Sequence, residues 1–148
     1  MQRHQAIVNQ LTMLNPAGLY DPAANGYSHV VMTPGQGCLV FISGQGGEDA
    51  NGVLAAEFEV QLRQSLANLV TALAAAEAGL QDIARLTILV VDHNEQRLAL
   101  ISQTINEAWA GRPTPACTLI PVPRLALDGM LIEIDAVASL ATRGATPT

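Results

Sequence analysis

A chain of 148 residues is long enough for one domain with a sizeable core. Because 49% of its residues are apolar and only 3% are aromatic, aliphatic side chains must fill that core. The net charge is −6 and the seven Lys and Arg residues are scattered, which argues against a nucleic-acid ligand. No apolar run approaches the ~20 residues that span a bilayer, and no signal peptide is evident. We therefore expect a cytoplasmic protein that binds neither nucleic acid nor membrane.

The cysteines and histidines do not form a metal-binding pattern. Cys38 and Cys117 lie far apart and belong to no CxxC motif, so neither a disulfide framework nor a zinc knuckle is expected. His4, His29 and His93 lack the spacing of metal ligands. The sequence therefore predicts no metal site.

The N-terminal part predicts an arm followed by a β-hairpin. Residues 1–25 are expected to form the arm, with one short extended piece. Two β-rich runs, Val30–Met32 and Cys38–Ile42, are separated by the turn sequence Pro34–Gly37, a pattern typical of a hairpin. The segment Ser43–Gly47 then ends the second strand.

The middle of the chain predicts a helix, a strand and a second helix. Apolar residues recur at three- and four-residue steps over about Ala55–Ala78, and Gly79 lies where a helix C-cap is expected. The apolar run Leu86–Val91 indicates a central strand covered on both faces. Asp92–Asn94 supplies cap-forming residues for a helix of about Glu95–Ala110.

Two further strands, near Ala116–Pro121 and Met130–Leu140, complete the element order β-β-α-β-α-β-β. This order predicts an α+β fold in which both helices lie on one face of a mixed sheet. Residues 1–148 are expected to form a single domain, with a flexible tail at residues 141–148. Because the strands are apolar, the other sheet face needs a cover, and a second subunit is the simplest one.

Five short motifs occur in the order found in one known family. They are Gly26–Ser28, Phe41–Gln45, Gln64–Leu69, Pro115–Thr118 and Ile132–Ala136. Together they resemble the Gly-Pro-Tyr opening, the Ser-Gly-Gln strand end, the Gln-Ser-Leu-x-Asn helix and the two C-terminal strands of the YjgF/Rid family, the reactive intermediate deaminases. Each motif is weak alone, and their order makes the resemblance specific.

This resemblance implies a chorismate-mutase-like domain that assembles as a homotrimer with clefts at the subunit interfaces. Well-studied members hydrolyse enamines and imines derived from amino acids, releasing ammonia and a 2-oxo acid, without metal or organic cofactor. Carried over by motif, Glu133 is the catalytic, water-orienting carboxylate. Tyr27, Ser43, Gly44 and Gln103 are the matching substrate-binding residues.

The chain departs from the family pattern at Cys117. The family has an arginine here that grips the substrate carboxylate through two charge-assisted hydrogen bonds, which a thiol cannot make. The interval from Cys117 to Glu133 is also about one residue longer than is common, so the loop Pro121–Gly129 is expected to differ. Arg124 of that loop is a candidate replacement for the missing arginine.

Each candidate also has a purely structural interpretation. Glu133 alternates with apolar neighbours, which is equally typical of a solvated acid on an edge strand. Tyr27 could be a core aromatic, and Ser43 and Gly44 could serve only the turn. Cys117 lacks a nearby base by sequence, so we expect it to line the pocket as a small apolar group rather than act as a nucleophile.

The leading function is hydrolytic deamination of a small imine or enamine in a pocket at the trimer interface, with Glu133 orienting the water. The alternative is a non-catalytic small-molecule binding module of the same fold. Ribonuclease activity, attributed to parts of this family, is less favoured because the chain is acidic and lacks a pair of histidines.

Overall fold

The computed structural model describes residues 11–34 and 37–141, which form six strands and two helices. Apart from the additional first strand, which lies in the predicted arm, their order is the predicted one. The bounds are β1 Thr12–Leu14, β2 Val30–Met32, β3 Gly37–Gly46, α1 Phe58–Ala75, β4 Ile83–Val91, α2 Glu95–Trp109, β5 Ala116–Val122 and β6 Ile132–Ala141. Short 3-10 helices lie at Ala23–Asn25 and Leu80–Asp82. The predicted bounds of α2 and of the last three strands agree with these to within a few residues.

Four strands form one mixed sheet in the order β3-β6-β4-β5, which confirms the predicted class of fold. β6 pairs antiparallel with both β3 and β4, whereas β4 and β5 run parallel because α2 connects them across one face of the sheet. β1 and β2 form a separate two-stranded antiparallel sheet.

Both helices cover the same face of the four-stranded sheet. Alternate residues of β4 and β6, including Leu86, Ile88, Ile132 and Ile134, are fully buried under them. From the helices, the deepest apolar residues are Leu62, Leu69, Leu73, Ile101, Ile105 and Trp109. The core is therefore aliphatic apart from Phe58 and Trp109, as the composition required.

The N-caps and C-caps set the helix bounds and correct one prediction. The Asn94 side chain accepts a hydrogen bond from the backbone N–H of Arg97 at 2.8 Å, so the predicted cap of α2 is confirmed. α1 ends earlier than predicted, and Glu77 takes the left-handed conformation with φ 57°. Gly79 is therefore not its C-cap; it precedes the 3-10 helix Leu80–Asp82 with an extended φ of −131°.

The predicted hairpin between β2 and β3 is wrong. β2 pairs with β1, with Met13 opposite Val31, while β3 pairs along its length with β6. A turn signal between two β-rich runs identifies a change of direction but does not select the partner strand.

The segment predicted as an arm includes ordered structure between residues 11 and 25. β1 belongs to the small sheet, and the 3-10 helix Ala23–Asn25 packs against α2, where Asn106 Nδ2 donates to the Ala24 carbonyl at 3.3 Å. Residues 1–10 of the predicted arm and residues 142–148 of the predicted tail lie outside the described residues.

The sheet face that points away from the helices, called the open face below, has no cover within the described chain. Its apolar side chains include Phe41, Leu39 and Ile120, which are 73%, 55% and 43% exposed. Exposed apolar surface on a sheet face often marks an interaction site, so we propose that this face takes part in self-association.

We predict that the protein sediments as one species near three times 15.5 kDa at micromolar concentration. Phe41→Asp should dissociate this species, because it places a carboxylate at the most exposed apolar position of the open face. Val60→Asp is the matched control, since Val60 is 51% exposed on the helix layer, and it should leave the assembly intact. A stable native monomer would contradict the prediction.

Candidate functional site

The structure sorts the predicted site residues into two groups on opposite faces of the sheet. Cys117 pairs in register with the fully buried Leu86 and packs against the core, so its side chain points to the helix face. Glu133 pairs with Leu89 between buried neighbours on β6, so its side chain lies on the open face. Within one chain, Cys117 and Glu133 therefore do not share a cleft.

Tyr27 and Cys117 line one cavity, called the Cys117 cavity below, which has a volume of about 370 Å³. It lies between α2 and the outer strand β5. Its walls are mostly aliphatic and aromatic, and include Tyr20, Tyr27, Leu98, Ile101, Cys117 and Leu119. Volume and lining are typical of a pocket for a small organic molecule.

Ser28 holds Tyr27 at this cavity. Its backbone N–H donates to the Pro115 carbonyl at 2.8 Å and its buried hydroxyl donates to the Thr114 carbonyl, which ties this segment to the start of β5. The turn before it needs Gly26, which has φ 78° and lies close to the backbone carbonyl of Ser102 on α2. Ser28 is bridged to Ala116, so Tyr27 lies beside Pro115, two residues before Cys117 in the chain.

Three aromatic rings pack together beside the cavity. The ring of His29 lies 5.0 Å from that of Tyr20 and 5.5 Å from that of Tyr27, both in edge-to-face arrangement. His29 Nε2 is also 2.8 Å from the Tyr20 carbonyl oxygen, and its backbone N–H donates to Asn15 Oδ1 at 2.9 Å. His29 thus stabilises the segment that carries Tyr27.

Burial controls the chemistry of Cys117. It raises the pKa of the Cys117 thiol to about 11, an effect that the positive charge of Arg85 only partly offsets. Arg85 pairs with Ala116, so its side chain lies on the open face, where its Nη2 donates to Thr118 Oγ1 at 2.8 Å. Cys117 is consequently a neutral wall of the cavity at ordinary pH, consistent with its expected role as a small apolar group.

The second group, Ser43, Gly44 and Glu133, meets at a β-bulge. Ile42 pairs with Ala136 and Gln45 with Ile134, so Ser43 and Gly44 together stand opposite a single residue of β6. A bulge leaves one residue out of the regular ladder, and such irregularities often redirect groups at binding sites. Ser43 and Gly44 are both exposed.

The Glu133 carboxylate lies directly against Gly44. A Cβ added at position 44 would overlap the Glu133 carboxylate, so only glycine allows the carboxylate to lie directly against the bulged backbone. The Glu133 carboxylate, a group of the kind that acts as a general base, therefore lies beside exposed backbone on the open face.

The helix signature that supported the family resemblance has a structural role at this bulge. Asn68 Nδ2 donates to the carbonyls of Gly46 and Glu48 at 2.9 and 2.8 Å, and Gln64 Nε2 donates to Asn68 Oδ1 at 2.9 Å. Asn68 therefore fixes the end of β3 just beyond Gly44, a role that sequence reasoning did not assign.

Gln61 is a second residue whose role the sequence did not reveal. It is fully buried, donates to the carbonyls of Ala55 and Gly129, and accepts from the backbone N–H of Leu131 at 2.9 Å. This amide clamps the loop before β6 and so fixes the register that carries Glu133. A glutamine within an amphipathic helix gives no sequence signal of such burial.

Gln103 does not line the Cys117 cavity. It is exposed on α2 and donates to Glu107 Oε1 at 2.9 Å, beside a separate depression that it shares with Asn25 and Leu98. Asn106, one turn further along α2, instead lies near Tyr27 in an adjoining cavity of about 430 Å³. The helical period shows which residues share one face of α2. Which of them line a cavity depends on the element that packs against that face.

Arg124 does not replace the missing arginine in this structure. Its guanidinium pairs with Asp128 at 3.0 Å within its own loop and stays largely exposed. Within residues 11–34 and 37–141, no group of three His, Cys, Asp or Glu side chains could hold a metal ion. No helix in this described part is long and apolar enough to cross a membrane.

The fold and these two groups define a small α+β domain with a neutral, mostly apolar cavity on one sheet face and the Glu133 carboxylate, lying against Gly44, on the other. Residues 19–140 match the model of the family described as Endoribonuclease L-PSP. The chain belongs to this family, which is the YjgF/Rid family that the sequence motifs indicated.

Individual relatives agree with this assignment. The RutC family protein slr0709 of Synechocystis sp. is 34% identical, over 86% of this chain and 90% of its own length. The RutC family protein YjgH of Escherichia coli is 32% identical, over 87% and 95%. Among solved structures, the Rid protein YyfB of Yersinia pestis superposes with a TM-score of 0.84 at 36% identity, covering 88% of this chain and 98% of that one.

We predict that Cys117 reacts slowly with iodoacetamide near neutral pH. With a pKa of about 11, about one thiol in a thousand is ionised at pH 8 on the ordinary titration curve. In Cys38→Ser protein, where Cys117 is the remaining thiol, the alkylation rate should rise about tenfold per pH unit up to pH 11, because the thiolate is the nucleophile.

Cys117→Ser protein, which retains the exposed Cys38, is the control for reagent access. Mass spectrometry of the labelled protein gives both rates. Rapid alkylation of Cys117 at pH 7 would show a stabilised thiolate and would contradict the neutral-wall assignment.

Proposed function

We propose that this protein is a cytoplasmic hydrolase that deaminates small imines or enamines at a site formed between the subunits of a homotrimer. The observation that carries the proposal is the Glu133 carboxylate lying against Gly44 at the β3 bulge. Membership in the YjgF/Rid family supports it further. Glu133 is the catalytic residue in this proposal.

Glu133 would orient a water molecule toward the imine carbon. As the water oxygen bonds to that carbon, the carboxylate accepts a water proton and the C=N electron pair moves to nitrogen. The carboxylate then returns this proton to nitrogen, which gives a carbinolamine. A second proton passes from the carbinolamine hydroxyl to nitrogen, the C–N bond breaks with its electron pair on nitrogen to release ammonia, and the C=O bond forms. Overall, imine and water give a carbonyl compound and ammonia, so no redox partner is needed.

The site requires two copies of the chain, because Cys117 and Glu133 lie on opposite sheet faces of one copy. β5 is the outer strand beside the Cys117 cavity, and the open face carries Glu133. Docking the β5 side of one subunit against the open face of the next would bring the two groups together. It would also cover Phe41 and Leu39, the exposed apolar residues of that face.

A binding module without catalysis is the second candidate, and the neutral Cys117 cavity is the observation that favours it. Burial keeps the Cys117 thiol protonated, and the cavity can hold a ligand without any chemistry. We do not propose ribonuclease activity, despite the family's description. The net charge of −6 opposes phosphate binding, and His4, His29 and His93 are the whole histidine content.

We predict that Glu133→Gln lowers kcat for imine hydrolysis by at least ~10²-fold, since a general base typically contributes ~10²–10⁴-fold. Glutamine keeps the size and one acceptor but removes the charge and the basicity. Cys117→Ala is the matched control and should lose much less, because Cys117 only lines the cavity. Ammonia release from a freshly generated imine measures both variants.

If Cys117→Ala abolishes hydrolysis while Glu133→Gln leaves it unchanged, this mechanism is overturned in favour of a thiolate nucleophile. If neither substitution changes hydrolysis while Cys117→Ala alters ligand affinity, the binding-module candidate is correct.

We also predict that 2-aminoacrylate is a poor substrate of the native protein and a better one for Cys117→Arg. A hydrogen bond to a charged group is worth ~1.5–3 kcal/mol. This corresponds to roughly tenfold to a hundredfold in kcat/KM if the contact forms in the transition state. Semicarbazone trapping measures the remaining imine. Equal rates for the two proteins would show that the carboxylate of 2-aminoacrylate does not bind next to position 117.

A further inference from the structure

We propose that the Cys117 cavity seats an uncharged, apolar part of the ligand, so that the preferred imines derive from neutral ketones or aldehydes and carry no carboxylate there. For its chemistry this inference rests on the proposed function. Its binding preference depends only on the cavity, and can be measured without any reaction.

The walls of the cavity carry no charged side chain among the described residues. α2 contributes Leu98, Ile101 and Ile105, and the sheet contributes Ile88, Cys117 and Leu119. The polar residues of its lining, Asn25, Thr118 and the two tyrosines, are all neutral. These groups can meet a carbonyl oxygen or an imine nitrogen, but they leave a carboxylate without a cation.

No arginine of the described chain is available to supply that cation. The sequence contains no lysine, none of the five described arginines lines the cavity, and each of them already has a polar partner. Their partners are Glu59 and Glu107 for Arg63, Thr118 for Arg85, the Val91 carbonyl for Arg97, the Trp109 carbonyl for Arg112 and Asp128 for Arg124.

Two of these arginines lie beside a residue of the cavity or of the adjoining cavity. Arg85 pairs in register with Ala116, and its guanidinium donates to the hydroxyl of Thr118, a residue of the cavity lining. By alternation, the side chains of Arg85 and Thr118 lie on the open face, whereas that of Cys117 lies on the helix face. Arg112 borders the adjoining cavity near Tyr27, where its Nε donates to the Trp109 carbonyl at 2.9 Å. A buried carboxylate without such a partner is strongly disfavoured, because it loses its hydration.

The raised pKa of Cys117, about 11, is independent support for this property of the cavity. Burial disfavours the thiolate here, and it would disfavour a ligand carboxylate in the same place for the same reason. A volume of about 370 Å³ has room for on the order of ten non-hydrogen atoms, at the share of volume that one water takes in the liquid.

The test compares cyclohexanecarboxamide with cyclohexanecarboxylate, which match in size and differ in charge at neutral pH. Binding to the native full-length protein is measured by isothermal titration calorimetry, with competition to show a shared site. We expect the amide to bind at least tenfold more tightly. Equal or tighter binding of the carboxylate, or binding of neither compound at millimolar concentration, overturns the proposal.

Leu98→Arg tests whether the preference arises in this cavity. Leu98 is 37% exposed at its rim, so an arginine there can reach the cavity while the helix stays folded, as circular dichroism would verify. We expect the preference for the amide to fall at least tenfold. Val70→Arg, at a 45% exposed position on α1, adds the same charge away from the cavity and should leave the preference unchanged.

An unchanged preference in Leu98→Arg would place the ligand elsewhere and overturn the proposal. Failure of the deaminase function is distinguishable from this outcome. If the native protein prefers the amide, Leu98→Arg loses this preference and no imine is hydrolysed, the neutral-ligand inference stands and the hydrolase proposal fails. If carboxylate-bearing imines are hydrolysed in a Glu133-dependent manner and the carboxylate probe binds best, the reverse holds.

Discussion

The alternation of side chains along β4 and β6 is the constraint on which the rest of the structure depends. Every second residue of these inner strands is buried under the helices, as Ile88 and Ile134 show, so the residues between them must point to the open face. This places Glu133 on the open face, while the pairing of Cys117 with Leu86 puts the thiol under α2. A shift of one residue in the pairing of these strands would turn the buried apolar side chains to the open face, and the core could not form.

Two polar clamps keep this arrangement in register. Gln61 ties the loop before β6 to α1, and Asn68 fixes the end of β3 next to the bulge where Gly44 meets Glu133. Both side chains satisfy backbone groups that would otherwise lack partners in loops beside the sheet. The helix layer therefore does more than cover the core: it positions the carboxylate on the opposite face of the sheet.

In the proposed function, the Cys117 cavity and the Glu133 carboxylate form one site only after assembly, so ligand preference and chemistry both depend on assembly. A carboxylate and a cavity on opposite faces of one subunit can cooperate when copies dock face to edge, and the exposed Phe41 gives such docking an apolar driving force. The cavity itself is neutral, because burial keeps Cys117 protonated and the described arginines are engaged elsewhere. In the proposed assembly, the cavity of one subunit would select the charge of the ligand, and Glu133 of the next would act on its reacting atom.

The sequence by itself determined the class of fold, the extent of α2 with its Asn94 cap, and the alternation that puts Glu133 between buried neighbours, because these follow from local periodicity and capping. It did not determine that β2 pairs with β1, since a turn signal does not choose a partner strand. Only the tertiary structure decided that Asn106 rather than Gln103 lies near Tyr27, and that Cys117 and Glu133 face apart. Those facts depend on which elements pack together over long separations, and no local pattern encodes that packing.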